Sequence, residues 1–206
     1  MSQIALPLLW PAEAAIGDFI LSPTNAFAIR HLDHRDLWPV MATVLTGPRK
    51  SGRSLLGRIF AGQSGGMLID DADRRPEEEL FHAWNRAQSE RLPLLLIADA
   101  PPPVWAVELP DLRSRLAATP AVALEDPDDA LTAALLEKQL GARGLVLPPP
   151  VAAYVLARMD RTHVAIARMV DALDSAALVR RRGLTIPVAR AALAACGFID
   201  ASREPV

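Results

Sequence analysis

The segment Gly47-Pro48-Arg49-Lys50-Ser51-Gly52-Arg53-Ser54, set directly behind the apolar run Val40 to Leu45, constrains the fold most. It fits the phosphate-loop spacing G-x-x-x-x-G-K-[ST] at every fixed position but one, where Arg53 replaces lysine. A loop of that kind needs a buried strand behind it. Ahead of it stands a helix whose first N–H groups and partial positive charge face phosphate oxygens. Arginine keeps the charge on a longer, forked side chain, so it is not a like-for-like replacement. Strand, glycine loop and helix in that order commit the chain to an α/β fold.

The following residues repeat that alternation. Ser54 to Ala61 reads as the helix that begins on the loop, stopped by Gly62, Gly65 and Gly66. Met67 to Asp71 reads as a second strand. Glu77 to Arg91 reads as a helix with Leu80, Phe81, Trp84 and Ala87 on one face and acidic residues in its first turn. Leu92 to Ala98 and Ala121 to Leu124 read as two further strands, and Pro101-Pro102-Pro103 forces a loop between them. Alternating strands and helices imply crossover units and a largely parallel sheet. Upstream, Ser22-Pro23-Thr24-Asn25 opens a helix through Ala26, Ile29 and Leu32.

Beyond Asp126 the pattern becomes helical throughout: Pro127 to Gly141, Pro149 to Met159, Thr162 to Arg181 and Ile186 to Ala195. Ile166, Val170, Leu173 and Ala177 line one side of the third of these. Thr185 is expected to cap the fourth, with Pro187 in its first turn and Gly197 beyond its end. The chain therefore divides into a tail (1–13), an α/β unit (14–124) and a small all-helical unit (125–206).

The 206 residues, 51% of them hydrophobic, suffice for a substantial core, and a net charge of −2 gives no bulk attraction to nucleic acid. A single cysteine, Cys196, suits a reducing cytoplasm and a plain core role. Charge or proline interrupts every apolar stretch before it reaches the length of a membrane span. His31 and His34 lack companion ligands and read as a surface helix end rather than a metal pair.

Two further groups carry chemistry. Asp70 and Asp71 end an apolar strand, where carboxylates after a phosphate loop hold Mg²⁺ through water and orient an attacking water. In Leu109-Pro110-Asp111-Leu112-Arg113-Ser114-Arg115-Leu116, two arginines lie two residues apart on a short segment after a strand. Such arginines either stay solvated or reach a neighbour's triphosphate.

Taken together, the phosphate loop, the Ile69-Asp70-Asp71 strand end, the LPDLRSRL segment and the helical unit resemble the DnaA-related AAA+ family, and within it the Hda type. Similarity also covers Gln3-Ile4-Ala5-Leu6-Pro7-Leu8, Phe19 to Asn25, Leu80-Phe81-His82-Ala83-Trp84-Asn85 and Leu184-Thr185-Ile186-Pro187, nearly the whole chain. This resemblance implies a P-loop AAA+ parallel sheet carrying a helical lid, in a cytoplasmic regulator that inactivates the replication initiator DnaA. It implies that Gln3, Ile4, Leu6, Pro7 and Leu8 form a peptide entering a groove on the replicative sliding clamp. Arg115 would be the arginine finger inserted into the initiator's ATP site, with Arg113 supporting it. Gly47, Gly52, Arg53, Ser54, Asp70 and Asp71 would form a nucleotide site for ADP or ATP with Mg²⁺, weak or lost, without turnover of its own. Little direct DNA binding is expected, and self-association as a homodimer stays open. Two rival readings are a self-sufficient P-loop ATPase acting on a replication factor, and a catalytically inert paralogue that binds clamp or initiator.

The chain departs from the family pattern in three places. Arg53 stands for lysine, as in some Hda-type proteins. Only residues 55–66 separate Ser54 from Met67, where the family has an additional strand and helix, so the sheet is expected to lack an edge strand. Val164 stands where the lid arginine is expected, with Arg161 and Arg168 facing elsewhere, and the polar residue ending the third strand is Ala98 or Asp99.

Overall fold

A computed structural model describes residues 19–180 and 183–200. The Gln3–Leu8 peptide lies outside the described residues. Within them, four parallel strands, β1 (Ala42–Thr46), β2 (Met67–Ile69), β3 (Leu94–Ile97) and β4 (Ala121–Ala123), form one sheet in the order β2-β3-β1-β4. β1 and β3 are central and buried at every residue; β3 reads as a continuous apolar run, and β1 adds Thr43 and Thr46, whose hydroxyls donate to the carbonyls of Pro120 and Val122. Val44 aligns with Leu96 of β3 and Ala121 of β4, and Leu68 of β2 aligns with Leu95.

The two faces of the sheet carry separate cores. Ala42, Val44, Leu94 and Leu96 pack against α3 (Glu77–Glu90) and α4 (Pro110–Ala117) through Leu80, Ala87, Leu112 and Leu116. Leu45, Leu95 and Ile97 point the other way, onto α1 (Pro23–Asp33) and α2 (Arg53–Ser64) through Ala28, Leu32, Leu56 and Phe60. The assignment follows from strand alternation, which sends successive side chains to opposite faces. A third core belongs wholly to the helices α5 (Asp129–Gly141), α6 (Pro149–Leu156), α7 (His163–Arg180) and α8 (Ile186–Ala195). There Ile166, Val170, Leu173 and Ala177 are all buried, on the side of α7 that their spacing predicts.

The short interval after the phosphate loop explains the edge. Residues 55–66 are used up by α2, whose end is closed by Gly65 in the left-handed conformation, and the chain enters β2 at once. No room remains for another strand before β2, so this three-residue, half-buried strand forms one edge of the sheet. Gly66 makes the entry feasible. A Cβ there would stand 2.3 Å from the Pro93 carbonyl oxygen, the same oxygen that accepts the Met67 N–H at 2.8 Å.

Helix ends follow the sequence with one exception. The Ser22 N–H donates to Asn25 Oδ1 (2.9 Å), and Asp128 caps α5 by accepting the Leu131 N–H at 2.7 Å. Thr185 occupies the N-cap position of α8 in extended backbone, but its side chain accepts no capping bond. Pro187 relieves that need in part, because it presents no N–H in the first turn.

Candidate functional site

The carboxyl ends of all four strands point the same way, which is where open parallel sheets place ligands. β1 ends in the loop 47–52. Gly47 has φ +146°, and a Cβ on it would lie 2.8 Å from the Leu124 carbonyl oxygen, so the loop can leave β1 beside β4 only with glycine there. Gly52 then stands at the N-cap of α2, and Arg53 and Ser54 begin the helix.

A cleft of about 480 Å³ opens over this loop. Lys50, Ser51 and Gly52 form its floor, Phe19 and Ile20 one wall, and lid residues such as Leu135, Arg143 and Ala167 the other. The Ser51 side chain is buried, and its Oγ has no hydrogen-bond partner among the described residues. An orphaned hydroxyl in the loop that floors a nucleotide-sized cleft suits a polar ligand that completes it.

Arg53 does not serve this cleft. Its guanidinium crosses to the end of β3, donating through Nη1 to the Ala98 carbonyl and through Nη2 to Asp99 Oδ1 at 2.8 Å. The other carboxylate oxygen of Asp99 accepts from Arg74 Nη2 at 2.7 Å. The polar residue at the end of the third strand is thus Asp99. The hydrogen bond from Arg53, reinforced by the charges of Arg53 and Arg74, holds the Asp99 carboxyl below its ordinary value of 3.8. A lowered carboxyl pKa stabilises the fold above pH 3.8, and this contribution is lost as pH falls through the folded-state value. Urea unfolding of Asp99→Asn should show lower stability than the wild type at pH 7, with the gap closing below pH 3.8. Because Asp99 is well exposed, the gap should be no more than about 1 kcal/mol. A gap that persists at low pH would show that charge is not its source.

Asp70 and Asp71 end β2, separated from β1 by β3. Asp70 Oδ1 accepts the N–H of Asp71 (3.0 Å), which turns the chain through a left-handed residue with φ 52°. Neither carboxylate lines the cleft.

Among the described residues, the α7 face toward the cleft carries no arginine. His163, Ala167 and Asp171, four residues apart on α7, line the cleft there. Arg161 pairs with Asp129 (2.6 Å) and Arg168 donates to the Cys196 carbonyl at 2.8 Å, both away from the cleft. The cations that the helical unit presents to the cleft are Lys138 of α5 and Arg143, from the turn after α5; Arg143 reaches Asp171 at 2.5 Å and Asp174 at 3.4 Å. Sequence reasoning missed Arg143, since a turn residue has no periodicity to mark it. Burial lowers the pKa of His163, which keeps a neutral imidazole at the cleft wall.

Arg115 lies elsewhere. α4 packs on the α3 side of the sheet, whereas the loop 47–52 leads into α2 on the opposite side. Half-buried Arg115 sets its guanidinium carbon 4.7 Å from the Phe81 ring centre and 4.8 Å from that of Trp84. It is absent from the cleft lining. Arg113 is turned back on its own loop, donating through Nε and Nη2 to the Val107 carbonyl at 2.9 and 2.6 Å. His31 is not a plain surface residue: its Nε2 bonds the buried Thr43 Oγ1 at 2.8 Å and its ring stacks on Trp38, while His34 is exposed.

Residues 128–193 match the family model described as "Hda, lid domain". Domain III of the Thermotoga maritima replication initiation protein DnaA has the same fold, with a TM-score of 0.72 at 17% identity over 91% of this chain and 98% of that one. Together these likenesses give the chain an AAA+ fold and, over residues 128–193, a helical unit like the Hda lid. The AAA+ fold is shared more widely. AMPPCP-bound DnaA from Aquifex aeolicus aligns with a TM-score of 0.60 at 16% identity, over 80% of this chain and 65% of that one. The Thermotoga maritima RuvB Holliday junction branch migration motor aligns at 0.64 and 14% identity, over 88% and 72%. The four-stranded parallel sheet has the fold of these AAA+ neighbours, and α5 to α8 cover the residues that match the Hda lid model.

Proposed function

We propose that this AAA+ protein is an Hda-type regulator of replication initiation in the cytoplasm. The tail 1–13 tethers it to the sliding clamp, the base 14–124 presents Arg115 to ATP bound by DnaA, and the lid 125–206 closes over the base. The observation that carries this reading is the position of Arg115. It stands on the α3 side of the sheet, while the chain's own cleft opens on the α2 side. A cation so placed has no part in hydrolysing nucleotide in its own cleft, yet part of its surface stays open to another molecule. Arg113 acts on the loop that carries α4, by tying it to the Val107 carbonyl, rather than on the reacting phosphate.

The chain's own cleft supports an auxiliary nucleotide role. Lys50, Ser51 and Gly52 would hold the phosphates of ADP or ATP; Ser54, Asp70 and Asp71 lie outside the cleft lining and would reach a Mg²⁺ there only through bridging water. With Arg53 engaged by Asp99 and no arginine on the cleft face of α7, binding is expected to be weak and turnover absent. The test is a reconstitution of DnaA loaded with ATP, clamp-loaded DNA and this protein, with hydrolysis followed in single turnover. Stimulation that needs both clamp and protein supports the reading; turnover by the isolated protein favours a self-sufficient ATPase.

Replacing Gln3, Leu6 and Leu8 by alanine should reduce clamp affinity by about a hundredfold or more, since a short groove peptide binds through few anchors. Fluorescence anisotropy with purified clamp checks this, and unchanged affinity would discard the tether.

A further inference from the structure

The surroundings of Arg115 go beyond its assignment as a finger. Phe81 and Trp84 are three residues apart on α3 and therefore share one face. Both rings lie within cation–π range of the Arg115 guanidinium, at 4.7 and 4.8 Å. Trp84 is itself fixed, because its Nε1–H donates to Thr119 Oγ1 at 3.1 Å. The Thr119 hydroxyl in turn donates to the Arg115 backbone carbonyl at 2.9 Å. Thr119 is buried at the end of α4, so one hydroxyl ties both the ring and the backbone of the residue it faces. The loop is closed: α3 holds Trp84, Trp84 holds Thr119, Thr119 holds Arg115, and the Arg115 side chain returns to α3.

We propose that Trp84, through the Phe81 ring beside it and the Thr119 hydroxyl, is a positioning residue that pre-sets the Arg115 guanidinium before any partner arrives. The inference rests on the reading of Arg115 as a cation presented to a partner's nucleoside triphosphate. A free arginine side chain must freeze several torsions on meeting a phosphate, and that ordering opposes binding in the transition state. Two rings and a fixed backbone carbonyl confine those torsions in advance. The faces leave the guanidinium edge, which carries its N–H donors, available to phosphate oxygens. Arg113 has no such cradle and spends its N–H groups on its own loop.

The test compares Trp84→Leu, Trp84→Phe and Thr119→Val with wild type and Arg115→Ala in ATP-loaded initiator with clamp-loaded DNA. Both the maximal hydrolysis rate and the protein concentration giving half of it are measured. A cation–π contact corresponds to a factor of about 2 to 30. Trp84→Leu should therefore lower the maximal rate by about tenfold and leave the half-maximal concentration unchanged. Trp84→Phe, which keeps a ring, should recover most of that loss. Thr119→Val should lose about threefold, from the broken tether. A second readout needs no partner: the Arg115 Nε–H resonance of the free protein should be ring-current shifted and lose the shift in Trp84→Leu.

A wild-type maximal rate in Trp84→Leu overturns the proposal, and so does a raised half-maximal concentration at unchanged maximal rate, which would make Trp84 a partner contact. An unshifted Arg115 resonance in the wild type overturns it irrespective of the initiator. If Arg115→Ala keeps full stimulation, the finger reading fails and the proposal falls with it. If Arg115→Ala is inactive while all three other variants are normal, only the positioning role fails. Should Trp84→Leu not fold, Trp84→Phe and Thr119→Val carry the decision through the same two measurements.

Discussion

Arg115→Ala should lower the stimulated hydrolysis of initiator-bound ATP by about a thousandfold or more, the size of effect an arginine finger has on phosphoryl transfer. The loss should fall on the rate and not on assembly. Alanine removes a charge that stabilises the spreading negative charge of the transferring phosphoryl group. The tail proposed to bind the clamp, the helical unit and the rest of the α/β unit keep their sequence. Within the chain the substitution also exposes the Phe81 and Trp84 ring faces that Arg115 covers. That cost is small: a partly exposed cation–π contact contributes about 0.5–1 kcal/mol. The variant should therefore fold, bind clamp as the wild type does, and fail only in the rate. Arg115→Lys should recover little, because an ammonium can neither fork onto two phosphate oxygens nor stack flat between two rings. Clamp-binding anisotropy and single-turnover hydrolysis on the same preparation separate these outcomes. Stimulation preserved in Arg115→Ala would remove the finger.

Gly66→Ala should be the most destabilising single methyl addition in the base. The added carbon would sit 2.3 Å from a backbone oxygen, a contact that no side-chain rotation relieves. That oxygen belongs to Pro93 and already accepts the Met67 N–H, which starts the β2–β3 ladder. Either β2 peels away from β3 or the turn at 65–66 opens. Overpacking against so fixed a neighbour costs about 1–3 kcal/mol, or more where the strand must detach. For a chain of this size that is a fall in Tm of roughly 2–4 °C per kcal/mol. Gly62→Ala is the matched control: Gly62 is an exposed position of α2 with nothing within 4 Å of the added carbon. It should raise stability by about 0.5–1 kcal/mol, through helix propensity and a less flexible unfolded chain. Thermal unfolding of the pair checks both signs. Equal stability of Gly66→Ala and wild type would mean that the edge strand is not held at Pro93.

What was legible in the sequence was whatever lay in a short, punctuated apolar run. β3 is apolar at every position and β1 at most of them because both faces of each are covered, and glycines or prolines mark their ends. The missing edge strand could be read from the interval 55–66 set against the family pattern, since a helix of that length leaves no residues for another strand. The side of α7 that faces the lid core followed from its spacing.

The site was less legible, because its key contacts join residues far apart in sequence. Arg53 could be recognised as an unusual residue in a phosphate loop, but its partner Asp99 comes 46 residues later, at the end of a different strand. Leu80, Phe81, Trp84 and Ala87 read as one buried helix face. Only Leu80 and Ala87 are buried in the core, while Phe81 and Trp84 stand half-exposed at its margin and hold Arg115. No pattern within α3 distinguishes a ring that fills a core from a ring that holds a cation. Arg143 escaped notice for a similar reason: it lies outside any periodic segment, and Asp171, its partner, is on another helix.

The most direct measurement follows whose ATP is consumed. Initiator preloaded with labelled ATP is mixed with clamp-loaded DNA and this protein, and in a parallel reaction the label is carried by this protein instead. The expected result is rapid loss of the initiator's label, dependent on Arg115, with the protein's own label unhydrolysed. Hydrolysis of the protein's own label at a comparable rate, insensitive to Arg115→Ala, would contradict it.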